Sequence, residues 1–300
     1  FLVTFDIFIG ARFKMSKFSC CCSSISVALI LGTSLATASN VQDVPDDVVA
    51  KQRAALAQEA SKGSYGPQSP RDLNISDGAN RRVFAPAPNS AQMNLCNIHF
   101  HKNAEHRGGQ FTSYAGNGDG EGNNTGHRFD GKLSEAELAP YNMPVGVSKH
   151  GDLVPGDTIE IHFVHSSAEV KPGPTLGSCI SESIANPQLR VETVVAVLVN
   201  DQNAAEFTKI ASIEQVNGYY QVPNLPNNLG EAVSYAGSTT GPSYNEKPSP
   251  FQVTWNVRPQ VLKLDIASVA SWLDGNPFDE KYAHGVRNLV KNPELLSPIE

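Results

Sequence analysis

The chain of 300 residues is poor in positive charge, with 23 Lys and Arg against 30 Asp and Glu. A formal net charge of −7 argues against nucleic acid or an anionic membrane as a partner, since either needs a basic face. Internal repeats are absent, and so is a long hydrophobic run. The best apolar stretch, SISVALILGTSLA over residues 24–36, falls short of the roughly 20 residues a bilayer requires. It follows Met15 and Lys17 and leads into Ala36-Thr37-Ala38, a small-x-small cleavage pattern. This reads as a secretory leader: residues 1–14 are upstream, Met15 is the expected start, and the mature chain begins after Ala38. That chain is expected to be secreted or periplasmic and to carry no transmembrane segment.

Cysteine is also scarce. Of five, Cys20, Cys21 and Cys22 fall in the leader, which leaves Cys96 and Cys179. In an exported chain such a pair predicts one disulfide, worth about 4 kcal/mol for a loop of this length in the chain-entropy model. Cys96 as a metal ligand is the weaker reading, because it and His99 would face opposite sides of a strand. The 262 residues after Ala38 suffice for one sizeable core.

Along the chain, residues 39–64 begin as a flexible acidic stretch and continue as a helix, VVAKQRAALAQEASK, with Asp46 or Asp47 as cap and Gly63 as stop. A Pro/Ser/Asn-rich segment to about residue 92 is expected on the surface or along the rim. Runs rich in Val, Ile, Thr and aromatics at 95–101, 157–165, 190–200, 218–222 and 251–266 predict strands. SVASWL and FDEKYAHGVRNLVKN near the end predict helices. The fold class is therefore mainly β (α+β) with peripheral helices, and residues 65–300 form one expected domain. GNGDGEGNNTG (116–126) lacks the spacing of a helix-flanked calcium loop and reads as a solvated glycine loop. Asn74-Ile75-Ser76 and Asn123-Asn124-Thr125 are glycosylation sequons.

Histidine is the third scarcity: eight in the chain, three of them within NIHFHKNAEH, residues 97–106. On a strand, His99 and His101 project to one face and Phe100 to the other. DTIEIHFVH alternates too, with His162 and Glu160 on one face and His165 on the opposite one. Three imidazoles from two paired strands predict an open zinc site with a fourth position for water, whose pKa zinc lowers to about 7. Glu160 is placed to take the second ring N–H of His162, the support that metal-bound histidines require. His106 and His165 read as structural or surface residues. His127 and His150 are candidates to carry a proton to buffer, though each reads first as an ordinary loop histidine.

Two families place HxH on a strand. His99-x-His101 followed by Glu105 matches the cupin pattern, with Glu105 as a fourth ligand, and GDLVPGDTIEIH resembles the second cupin motif. That family implies iron, manganese or nickel and oxygen or isomerase chemistry. The second resemblance covers more of the chain, roughly residues 65–270. IHFHKNAEH and IEIHFVH are similar to the zinc-ligand segments of alpha-type carbonic anhydrases. YAGSTTGP (235–242) resembles their threonine loop, QVTWNV (252–257) the strand after it, and PQSPRDLN (67–74) a segment near their start. With its long insert between the ligand strands, CNIHFHKNAEHRGGQF resembles the delta class of carbonic anhydrases more closely.

The resemblance implies an alpha-carbonic-anhydrase-like, mostly antiparallel twisted sheet and reversible hydration of CO2 to bicarbonate by a zinc-bound hydroxide. Zn2+ would be held by His99, His101 and His162, with Glu160 behind His162. Glu105 would orient a gatekeeper threonine, Thr240 first and Thr239 close behind, while Val164, Val195 and Trp255 would line the CO2 pocket. A third reading keeps the fold as a cell-surface binding module whose catalysis has lapsed.

Overall fold

The computed structural model describes residues 43–299, Val83 and Thr240 excepted. The expected leader, with Met15, Cys20, Cys21, Cys22 and the cleavage point after Ala38, lies outside these residues, as does Thr240. The described part belongs to one compact unit, Ala38–Glu300.

Its strands, in chain order, are β1 (Asn94–Lys102), β2 (Ser113–Tyr114), β3 (His127–Arg128), β4 (Thr158–Ser166), β5 (Leu189–Val199), β6 (Glu214–Val216), β7 (Tyr219–Gln221), β8 (Val233–Ser238), β9 (Gln252–Val257) and β10 (Leu262–Asp265). The helices are α1 (Asp46–Ser61), α2 (Phe207–Ile210) and α3 (Ile266–Asp274). Six strands form one mixed sheet in the order β1-β4-β5-β9-β8, with β10 also beside β5. The pairs β1–β4, β4–β5 and β8–β9 are antiparallel, whereas β9 and β10 both run parallel to β5. The fold is thus mainly β, as expected from composition, and mostly antiparallel.

The sheet is covered on both faces, which explains why β5 reads as an almost unbroken apolar run rather than an alternating one. On one face Ile98, Phe100, Ile161, Phe163, Val194, Leu198 and Leu264 pack with Phe207, Val269 and Trp272 from α2 and α3. On the other, Val164, Val191, Val195, Tyr235, Val253 and Trp255 form a second core around Cys96 and Cys179. Those cysteines form a disulfide across a separation of 83 residues.

Three expectations need correction. The run 251–266 is two strands, because Pro259 cannot donate to a ladder; β9 pairs with Arg190–Thr193 and β10 resumes on Ala196–Val199. FDEKYAHGVRNLVKN is not helical. Its backbone N–H groups go instead to distant acceptors: His284 to Phe100 O, Val286 to Gly122 O and Val290 to Pro70 O. The segment 65–92 does not keep to the surface, since Gln68, Ser69 and Arg71 are fully buried. Arg71 binds the carbonyls of Ser297 and Ile75, and a Cβ at Gly237 in β8 would collide with Ser69 Oγ.

Helix α1 begins at Asp46, after Pro45 and with no side-chain cap. Asp46 and Asp47 therefore act in its first turn, where negative charge suits the helix dipole. Leu56 and Ala60 pack on Val290, Leu295 and Leu296. Among the described residues no helix is long and apolar enough to cross a membrane.

Candidate metal centre

The antiparallel register of β1 and β4 sets His99 directly opposite His162 and His101 opposite Glu160. Cross-strand neighbours in such a pair stand about 5 Å apart at Cβ, so three imidazoles meet on one face. Their ring centroids are 5.2 Å (His99–His101), 5.0 Å (His99–His162) and 4.7 Å (His101–His162) apart. One nitrogen from each ring lies within 4.8 Å of the others.

The outer nitrogens are all engaged, which assigns the tautomers. Nδ1 of His99 is 2.6 Å from Asn97 Oδ1 and Nδ1 of His101 is 2.7 Å from Gly285 O, both oxygens being acceptors. Nε2 of His162 is 2.7 Å from Glu160 Oε1. Protons at these positions leave lone pairs on His99 Nε2, His101 Nε2 and His162 Nδ1. His101 Nε2 is buried and has no hydrogen-bond partner. The other two nitrogens face one another at 3.2 Å, lone pair against lone pair. Zinc–nitrogen bonds of about 2.0–2.1 Å in a tetrahedron separate neighbouring donors by roughly 3.3 Å. The donor set fits a zinc ion.

Electrostatics point the same way. Burial, reinforced by the charges of His162 and His101, holds His99 well below the ordinary imidazole range. Burial pushes His101 down to about 4 against the pull of Glu105. Both rings therefore stay neutral, the form that ligates metal.

Glu160 is wholly buried and serves two histidines. Its Oε1 also takes His106 Nδ1 at 2.7 Å, and its Oε2 takes the His106 backbone N–H at 3.1 Å. Burial would raise this carboxyl, but His106 and His162 together hold it well below the carboxylate range. His106 Nε2 lies 2.7 Å from the Tyr235 hydroxyl, which donates to Ser69 Oγ at 3.0 Å. His106 is thus a buried structural residue, one that fixes the carboxylate behind His162.

Glu105 sits on the far side of the rings. Its oxygens are 3.8 Å from His101 Nδ1 and 3.9 Å from His162 Nε2, the two nitrogens turned away from the lone pairs. Glu105 Oε1 accepts the backbone N–H of Arg287 at 3.0 Å. A fourth-ligand role of the cupin kind does not match this placement.

A recess of about 40 Å3 opens beside the histidines, lined by Val164, Trp255, Leu176, Val191, Val253 and Thr239. Val195 does not line it; it pairs with Glu160 one strand over and packs in the core beneath. Thr239 gives its backbone N–H to Phe251 O at 2.9 Å, and its Oγ1 is 2.9 Å from Ser249 Oγ. A mouth of about 600 Å3 leads outward past His150 and His284. His127 is not there but buried at a different cavity. His165 is buried too, with Nδ1 3.0 Å from Phe163 O.

The sequence reading missed Asn97, His284 and Gly285. The period-2 pattern would have reached Asn97, two residues before His99. Nothing local marks His284, whose Nε2 is 2.6 Å from Glu280 Oε2 and whose ring stands 5.7 Å from that of His99, or the carbonyl of Gly285.

Among curated proteins, none matches this chain. Among solved structures it is similar to an alpha-carbonic anhydrase of Photobacterium profundum, at 15% identity over 80% of this chain and 93% of that one, with a TM-score of 0.26. A hyperthermostable carbonic anhydrase from an active hydrothermal vent chimney gives 15% identity, 75% and 85% coverage and 0.26. Cah3 of Chlamydomonas reinhardtii, a carbonic anhydrase solved with acetazolamide, gives 15%, 74%, 86% and 0.24. The delta carbonic anhydrase family model matches residues 90–268, which is more than half of the sequence, and the chain belongs to that family.

Proposed function

We propose that this chain is a zinc-dependent carbonic anhydrase that interconverts CO2 and bicarbonate. The observation that carries the reading is the convergence of three ring nitrogens whose protons are committed outward, leaving three lone pairs on one buried point. His99, His101 and His162 hold the ion. When bound, zinc makes hydroxide available at neutral pH by acidifying a coordinated water.

The chain's own residues do the rest. Asn97, Gly285 and Glu160 keep the three rings in their ligating tautomers. Val164, Val191, Val253 and Trp255 give the weakly polar CO2 an apolar recess beside the metal, and Val195 backs it. Glu105 orients the gatekeeping threonine, whose hydroxyl aims the attacking oxygen. Thr240 takes that role, which is consistent with Thr239 having its hydroxyl beside Ser249. Residues 65–300 form the catalytic domain. The disulfide suits an oxidising compartment, and with the leader over 15–38 it supports secretion or a periplasmic location.

Stopped-flow CO2 hydration by residues 39–300, loaded with zinc, tests the reading beside His162→Ala. Rapid hydration in the parent and near-background rates in the variant are expected. A folded parent holding one zinc without hydrating CO2 sinks the enzyme assignment and returns the binding-module reading.

A further inference from the structure

A second cavity, of about 850 Å3, shares no histidine with the mouth above the metal site; Glu105 and its backbone donor Arg287 reach it from the metal centre. Its walls come from α1, the β2–β3 ribbon and the segment after Arg287. That volume lies in the range of pockets that hold organic molecules.

The lining carries four basic residues, Arg53, Arg107, Arg287 and Lys291, and four acidic ones, Asp46, Asp72, Asp77 and Glu105, but the two sets are not paired one to one. Arg53 gives its Nε–H to Leu289 O at 3.1 Å, and neither Arg53 nor Lys291 forms an ion pair among the described residues. Arg107 is tied to Asp72 Oδ2 at 2.6 Å, and the Arg287 guanidinium gives its N–H groups to Tyr244 O and Ser69 O. The crowding is felt at Lys291, whose ammonium is pushed down first by the charge of Arg53, then by burial and Arg107. Asp46 and Asp77, the remaining acids of the lining apart from Glu105, are exposed at its edge. Arg53 and Lys291 thus stand near each other without a carboxylate partner of their own among the described residues, and an anion placed between them would supply one.

A second observation points to a ligand independently. His127 lines the same cavity at 5% exposure, and its buried Nδ1 has no hydrogen-bond partner. A neutral imidazole left unsatisfied in a pocket needs a polar atom brought from outside. Val49, Leu289 and Val290 add apolar lining to the same cavity.

We infer that this cavity binds a small organic oxyanion, its carboxylate or phosphate head between Arg53 and Lys291 and its body against Val49, Leu289 and Val290. Guanidinium and ammonium groups bind such heads through charge-assisted hydrogen bonds. The apolar lining gives a reason to prefer a head that carries a body over the bare ion. This site does not depend on the proposed reaction.

Calorimetric titration of the purified chain with inorganic phosphate and with phenyl phosphate tests the inference. Phenyl phosphate is expected to bind saturably and more tightly than inorganic phosphate. Lys291→Gln, at an exposed position, and Arg53→Gln are each expected to weaken it by roughly tenfold or more, with urea melts confirming that both variants fold. His99→Ala is expected to leave the affinity unchanged, since the histidines belong to the other site. Absence of saturable binding by phenyl phosphate overturns the inference, as does affinity unmoved by both substitutions. Equal affinity for the two anions removes the organic body from it, and loss of binding in His99→Ala places the anion at the metal centre instead.

Discussion

Replacing Glu160 by Gln isolates what the buried carboxylate contributes. The carboxylate accepts three N–H groups: His162 Nε2 and His106 Nδ1 at Oε1, and the His106 backbone at Oε2. Glutamine has the same shape but only one accepting oxygen. With its carbonyl in the Oε1 position, the amide nitrogen faces the His106 backbone donor. Flipped, it turns a donor toward both rings. Either way at least one buried N–H is left unsatisfied, at about 1–3 kcal/mol, and the bonds that survive lose their charge assistance. Losing the partner that orients a metal ligand lowers affinity by about 10–100-fold, equivalent to roughly 1.4–2.7 kcal/mol. Zinc competition against a chromophoric chelator should show that loss in Glu160→Gln, and urea melts of the metal-free protein should show the stability deficit. Zinc affinity and melts equal to the parent's would refute the claim that Glu160 sets the tautomer of His162.

Other perturbations separate the remaining parts of the site and fold. Glu105→Gln should retain zinc and lose about 100-fold or more in hydration rate; loss of the metal instead would mean that Glu105 ligates it. Stripping zinc with a chelator should lower the melting temperature, and restoring zinc at 1,000 times its Kd should return about 4 kcal/mol; a metal-independent melt contradicts a site formed in the native state. Joint replacement of Cys96 and Cys179 by alanine opens a loop of 83 residues and should cost about 4.5 kcal/mol in urea unfolding, with an undiminished midpoint counting against a structural bridge. Burial holds the His165 imidazole down at about 4, against the pull of Glu192, while in the unfolded chain it protonates near 6.5. Between those values the unfolded state binds the extra proton, so stability falls as pH drops, by roughly 3 kcal/mol over the window. His165→Gln should flatten that part of the profile in urea melts across pH, and parallel profiles would show that His165 does not titrate on unfolding.

What was legible in the sequence follows the range over which each signal acts. Alternation along a strand is local, so HFH and EIH announce their shared faces, and the antiparallel register then brings those faces together. Pro259 was equally visible, yet a continuous β-type run concealed that the chain breaks there and resumes along the same neighbour. The segment 278–292 has helical composition, but its donors are claimed by Phe100, Gly122 and Pro70; tertiary hydrogen bonds override propensity where packing decides. The Pro-rich start reads as surface because burial of Gln68 and Arg71 depends on acceptors contributed by residues far along the chain.

The three bonds that orient the rings make the same point about the site. Asn97 stands two residues from His99 and Glu160 two from His162, so strand geometry alone supplies both. The partner of His101 is a carbonyl 184 residues away, held by the pairing of Lys102 N with His284 O and of His284 N with Phe100 O. Two residues beyond the Gly285 carbonyl, Arg287 gives its N–H to Glu105. Pairing of the two ligand strands alone does not complete the site, because His101 takes its ligating tautomer from Gly285 and Glu105 its backbone donor from Arg287. Completion of the metal centre is in this way tied to completion of the fold, with the last stretch of chain contributing backbone groups rather than side chains.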